Sequence, residues 1–359
     1  MHVTTPFRPK SWAARLAVLF VLSAPVGAQA GQLEELLIAA ARDGDTALAE
    51  DLIERGADTE ARDAARGETP LMIAAEAGHL GVVLLLIIRG AAFDAVDAAG
   101  ETALINAAAR HWSRVAEALI VAGADVGHAA ENGNTALITA AFRPGGLAVL
   151  RLLIGAGADA DARAGDGMTA LLAATRARDI YMVAELLGVG ADADLALADG
   201  TPPLMLAARV GFTEGVRVLL AYDPEIDARD AKGRSALAWA AAEGDTATVR
   251  ALVVGGGGLE ATGIDGNTPL MLAARVGHLG TIVSLLEGGA AVNARNAVNG
   301  NTALMLAANR GARSVVEVLL GAGAEPGARA DDGWTAIQAA AMVGESGIVG
   351  LLRAAGAGD

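Results

Sequence analysis

The sequence predicts an all-α array of short helix–turn–helix units joined by polar turns, and three observations predict it. The chain repeats itself with a period of 33 residues. Each repeat holds two helix-length segments, and a glycine usually closes each. A hydrophobic content of 53% comes with only 3% aromatics, so Ala and Leu must fill the interior. Large aromatics supply much of a thick globular core; small side chains suit thin, stacked layers.

The repeat is visible in three near-copies: GETPLMIAAEAGHLGVVLLL from Gly67, GNTPLMLAARVGHLGTIVSLL from Gly266 and GNTALMLAANRGARSVVEVLL from Gly300. The threonine position recurs as Thr69, Thr102, Thr135, Thr169, Pro202, Ser235, Thr268, Thr302 and Thr335, at steps of 33 or 34. Leu36–Asp58 is one more unit without the threonine, which makes ten.

Each element has a local cause. The Thr or Ser accepts from orphan N–H groups at the start of the first helix, and a following Pro suits the first turn. That helix, for example Pro269–Val276, carries small alanines where neighbours must approach. A glycine such as Gly277 or Gly311 ends it in a left-handed conformation. The second helix, such as Leu279–Glu287, is amphipathic, with Leu and Val at helical spacing. A second glycine closes it, and a polar stretch such as 291–296 turns the chain to the next unit.

With these residues in place the chain resembles the ankyrin-repeat family. The pattern Gly-x-Thr-Pro-Leu-x-x-Ala-Ala, then Gly-His at the turn and Leu-Leu-x-x-Gly-Ala-Asp, recurs in register through 31–359. The resemblance implies an ankyrin-repeat solenoid with β-hairpin-like connecting loops, in which units contact only their neighbours. One departure runs through the whole chain. The family's His after Thr-Pro-Leu is replaced by Met72, Ile105, Ile138, Leu172, Met205, Ala238, Met271, Met305 and Gln338. Pro144 is inserted in an inter-helix turn, while Asp223-Pro224 and Gly255–Gly258 displace the usual unit end. Those last two are the expected weak seams, since glycine raises the entropy cost of ordering.

Residues 1–30 read as a secretory signal peptide: basic Arg8, Lys10 and Arg15, an apolar run from Leu16 to Leu22, a break at Pro25, and Ala28-Gln29-Ala30. The apolar run is shorter than the roughly 20 residues that span a bilayer. Export to the periplasm follows, or to the extracellular space in a cell with a single membrane. There is no cysteine, which excludes disulfides, thiolate metal sites and a cysteine nucleophile. The net charge is −15, and −18 without the leader, which argues against nucleic acid or an anionic membrane as partner.

No catalytic constellation, cofactor motif or metal site emerges. His79 and His278 stand six units apart, and His111 with His128 lacks a third ligand. No Gly-Lys-Ser/Thr follows a glycine-rich stretch, and there is no Gly-x-Ser-x-Gly elbow. The paired carboxylates recur on turns, as solvated turn residues do.

The pattern left over is a set of arginines where each first helix ends: Arg42, Arg110, Arg143, Arg176, Arg209, Arg275 and Arg310. The resemblance implies that this place faces the concave surface. Arg110, Arg143, Arg176 and Arg209 stand 33 apart, so they are expected to stack as a ladder opposite hairpin acids such as Glu68, Glu101, Asp199 and Asp265. They either pair with those acids or present guanidinium forks to a partner. Phe142 beside Arg143, and an exposed Trp334, are candidate anchors; Trp112 reads as packing at the outer turn and Trp239 as core. The expectation is a monomeric, non-enzymatic scaffold for a partner protein, the alternative being a secreted effector acting on a host protein. If the leader is cleaved as read, N-terminal sequencing of exported protein returns Gly31 as its first residue; material that still contains Arg15 contradicts it.

Overall fold

The structure, a computed structural model, describes residues 26–358, which form 20 helices and no strand. The first helices of the pairs are α1 (Val26–Asp43), α3 (Pro70–Ala77), α5 (Ala103–Ala109), α7 (Ala136–Ala141), α9 (Ala170–Arg176), α11 (Pro203–Arg209), α13 (Ala236–Glu243), α15 (Pro269–Val276), α17 (Ala303–Arg310) and α19 (Ala336–Met342). Their second helices are α2 (Thr46–Glu54), α4 (Leu80–Ile88), α6 (Ser113–Ala122), α8 (Leu147–Gly155), α10 (Ile180–Gly188), α12 (Thr213–Leu220), α14 (Thr246–Val254), α16 (Leu279–Glu287), α18 (Arg313–Gly321) and α20 (Ser346–Ala354). The basic and apolar parts of the expected leader lie outside the described residues, while the Ala30–Gly31 bond falls within α1. Among the described residues no helix is long and apolar enough to cross a membrane.

The chain forms two compact units that divide after Gly165. Inside each, first helices pack on first helices and second helices on second helices. An alanine pair is the reason first helices can approach: Ala74 and Ala75, Ala107 and Ala108, Ala207 and Ala208, Ala273 and Ala274 are all fully buried. Leucines from both helices, such as Leu71 and Leu86 or Leu204 and Leu219, fill the layer between them.

The caps form as the sequence predicts. Thr69, Thr102, Thr135, Thr169, Ser235, Thr268, Thr302 and Thr335 each accept from the backbone N–H three residues on. That third residue is the position where the family's His is missing. Its apolar substitutes, Met72 to Met305, are buried. Gln338 instead closes a capping box, its Oε1 accepting from Thr335 N at 3.0 Å. Pro202 gives α11 no side-chain cap, and the buried Thr201 hydroxyl beside it has no partner among the described residues.

The glycine after a first helix must be glycine for two reasons at once. Gly78 has φ +78°, and a Cβ there would lie 2.5 Å from the Trp112 ring, which packs over it from the next unit and donates Nε1–H to Glu76 O at 2.9 Å. His79 and His278 cover Gly44 and Gly244 in the same manner. The other histidine rings are spent on the backbone too: His79, His111 and His128 donate Nε2–H to the carbonyls of Arg42, Ala140 and Gly100.

The loops are hairpin-like, closed by bonds such as Asp97 N to Glu101 O and Ala330 N to Trp334 O. Each is tied to its neighbour by one backbone bond, for example Ala98 N to Arg66 O or Ile264 N to Lys232 O. The two expected seams differ. Gly255–Gly258 keeps the regular pattern, with Gly257 N on Leu252 O at 2.9 Å and Gly258 N on Asp227 Oδ1 at 2.8 Å. Asp223, by contrast, takes the left-handed position that glycine holds in other units, at φ +51°. Pro224 has no N–H for the bond that Ala57 makes to Leu52 O, or Ala91 to Leu86 O. Restoring both as Asp223→Gly with Pro224→Ala is expected to add about 1 kcal/mol of unfolding free energy, the relieved φ and the regained bond outweighing the lost proline rigidity. Urea denaturation checks the gain, and amide exchange at 219–222 should slow more than at 252–258.

Candidate functional site

In each compact unit the hairpins and the ends of the first helices line one face, and the side chains freed from packing meet there. In the first compact unit they surround a cavity of about 440 Å³ whose walls include Arg42, Asp63, Arg66, Glu68, Ile73, Glu76 and Arg110. Glu76, at the end of α3, takes Arg110 Nη2 at 2.7 Å on one oxygen and Arg66 on the other. Arg66 also holds Glu68, 2.8 Å away. Glu68 is buried, and Asn106 reaches it from the next unit.

The carboxylates divide by environment. Burial pushes Glu68 up, and Arg66 offsets only part of that; burial, with Asp97 alongside, also raises Glu101. The Arg110 hydrogen bond, helped by Arg66, holds Glu76 below the ordinary glutamate range. Burial acts upward on Asp63, but backbone N–H groups of Arg66, Glu68 and Gly67 outweigh it and keep it low.

In the second unit the centre of the face is Trp239, on α13. It is half-buried rather than core, which corrects the sequence expectation. The indole N–H needs an acceptor, and it finds Asp230 Oδ2 at 3.1 Å on the hairpin. Arg234 donates to the same carboxylate and lies 3.5 Å over the ring centroid; Arg209 of the preceding unit lies 5.5 Å from it. Backbone bonds from Arg234 and Lys232 overcome the effect of burial and keep Asp230 well ionised.

The expected ladder is not one register. Arg110 and Arg143 stand eight residues after their capping threonines, Arg176 and Arg209 seven after Thr169 and Pro202. Pro144 adds the residue that shifts the count. Arg110 is the C-cap of α5, and Arg143 follows Phe142, the C-cap of α7. Arg176 and Arg209 are instead the last residues of α9 and α11.

The pairing differs as well. Arg110 takes a helix acid, and Arg275 meets the hairpin Asp265 at 3.8 Å. Arg310 donates to Val276 O. Among the described residues Arg143, Arg176 and Arg209 have no ion pair. Phe142 and Trp334 are half-buried. Sequence reasoning did not single out Glu76 or Arg66, nor pair Arg234 with Trp239. Glu76 alone was findable, as the acid standing where other units have Arg.

Stacked helix pairs with capped first helices, hairpin loops and a face of unpacked polar residues define a repeat-built protein-interaction module. A family model described as ankyrin repeats in three copies matches overlapping windows from 17–97 to 270–358, and the chain belongs to the ankyrin-repeat family. No curated protein matches it.

The Glu76 pairs set an acid limb. A carboxylate held below its unfolded value contributes stability at higher pH, and that is lost as pH falls through the depressed folded value. Glu76→Gln is therefore expected to flatten the loss of stability between about pH 5 and pH 3, as read by urea midpoints, with little change in slope above pH 6.

Proposed function

We propose that the chain is a non-enzymatic scaffold that holds a partner protein against the face made by first helices and hairpins, the concave side of an ankyrin array. One observation carries this reading: the side chains on that face that vary from unit to unit, among them Arg143, Arg176, Arg209, Trp239, Asn309 and Met342, are those the repeat does not need for packing. Trp and Arg are also the residues enriched where interfaces concentrate their binding energy. A chain of charge −15 favours a protein partner over nucleic acid.

Residues 1–30 support export by the general secretory route, to the periplasm or outside the cell. The protein works there as a monomer, with no cofactor and no stable membrane insertion. An effector acting on a host protein would use the same face.

The test is site-specific photocrosslinking. A benzophenone side chain at Asn309, exposed at the end of α17, should capture the native partner. One at Val254, 89% exposed at the end of a second helix, should not. The reverse pattern moves the interface to the second helices and removes this proposal.

A further inference from the structure

We propose that the face bearing Arg176, Arg209 and Trp239 takes an extended acidic segment of a partner protein, in which two carboxylates stand three residues apart and an apolar side chain follows. This rests on the scaffold reading and names the chemistry of its partner.

The two arginines are equivalent: each is the last residue of its first helix, in successive units. Arg176 is exposed and Arg209 half-buried, and neither has an ion pair among the described residues. Arg275, at the same position in a later unit, already meets Asp265. The neighbouring hairpin acids Asp166 and Asp199 accept from Met168 N and Thr201 N, and neither pairs with the two arginines. Guanidinium forks left in this state match carboxylates in geometry and charge.

The next unit in line supplies Trp239. Asp230 fixes its indole N–H and Arg234 lies over its ring, so the platform is held before anything binds. The position bridges Arg209 to a side chain with an apolar body.

Spacing selects the ligand. Neighbouring helices pack at roughly 8–10 Å, and three residues of a polyproline II segment complete one turn and rise about 9 Å, which returns every third side chain to the same face. A segment lying across the units therefore meets Arg176 and Arg209 with side chains three residues apart, and Trp239, whose ring centroid lies 5.5 Å from the Arg209 guanidinium, takes the apolar side chain that follows. A long polyanion would also meet the repulsion of a chain with net charge −15, whereas a segment with two carboxylates meets less of it.

The test uses the full chain and a fluorescein-labelled peptide, Asp-Ser-Gly-Asp-Ser-Gly-Leu, followed by fluorescence anisotropy. Saturable binding is expected. It should weaken at least about tenfold in the Arg176→Gln, Arg209→Gln double variant and with the Asn-for-Asp peptide, and change less than about twofold in Arg275→Gln. Circular dichroism confirms that the variants fold. Absence of saturable binding, equal affinity in the double variant, equal affinity for a peptide with adjacent aspartates, or tighter binding of a dT12 oligonucleotide each overturns the proposal. The partner crosslinked from Asn309 separates the two readings. If it is captured equally with and without the two arginines, the acidic-segment assignment falls and the scaffold stands. If no partner is captured from that face, both fall.

Discussion

Within each compact unit, neighbouring first helices approach across pairs of alanines that are fully buried, such as Ala74 and Ala75, or Ala273 and Ala274, where a larger side chain would force the helices apart. That close approach is the constraint the remainder obeys. It brings successive hairpins near enough for one backbone bond between them, as from Ala231 N to Asp199 O. It also lets a ring at the start of a second helix lie over the glycine of the preceding unit. Leu and Val of the second helices then fill the layer behind, as Val82, Val83 and Leu86 do.

The same constraint leaves certain positions out of the packing, and chemistry collects there. The residue before the capping threonine and the last turn of the first helix tolerate Glu68, Arg234, Trp334, Glu76, Arg176 or Met342 without disturbing the stack. In the first unit such residues neutralise one another around Glu76. In the second they leave the guanidinium groups of Arg176 and Arg209 without carboxylates, Arg209 beside a fixed indole. One backbone plan thus presents two electrostatically different faces.

The fold was legible because its causes are local. Pro269–Val276 and Leu279–Glu287 are found as the cap, the glycines and the apolar spacing predict. The face was less legible because its causes are not local. Equal spacing of 33 hid the shift between Arg143 and Arg176, since the residue added at Pro144 offsets one register against the other. Trp239 lies among alanines and reads as core; only the hairpin acid Asp230, nine residues earlier, explains why its ring stays half open. The left-handed positions of His111 and Arg178, where other units have glycine, carry no sequence mark beyond that missing glycine.

The single backbone bond between hairpins has an evolutionary reading. Successive hairpins of the described residues are joined by the same kind of N–H to carbonyl bond, so a block duplicated or deleted in register can rejoin its neighbours through that bond. The 34-residue steps fit this tolerance, because their extra residues sit in turns, at Pro144 and in the hairpin closed by Asn296 N and Asn301 O. Near-identical stretches such as those from Gly67, Gly266 and Gly300 are also the natural substrate for unequal recombination. The number of blocks is then a quantity that lineages can vary by whole steps, while the side chains at the ends of the first helices diverge one at a time.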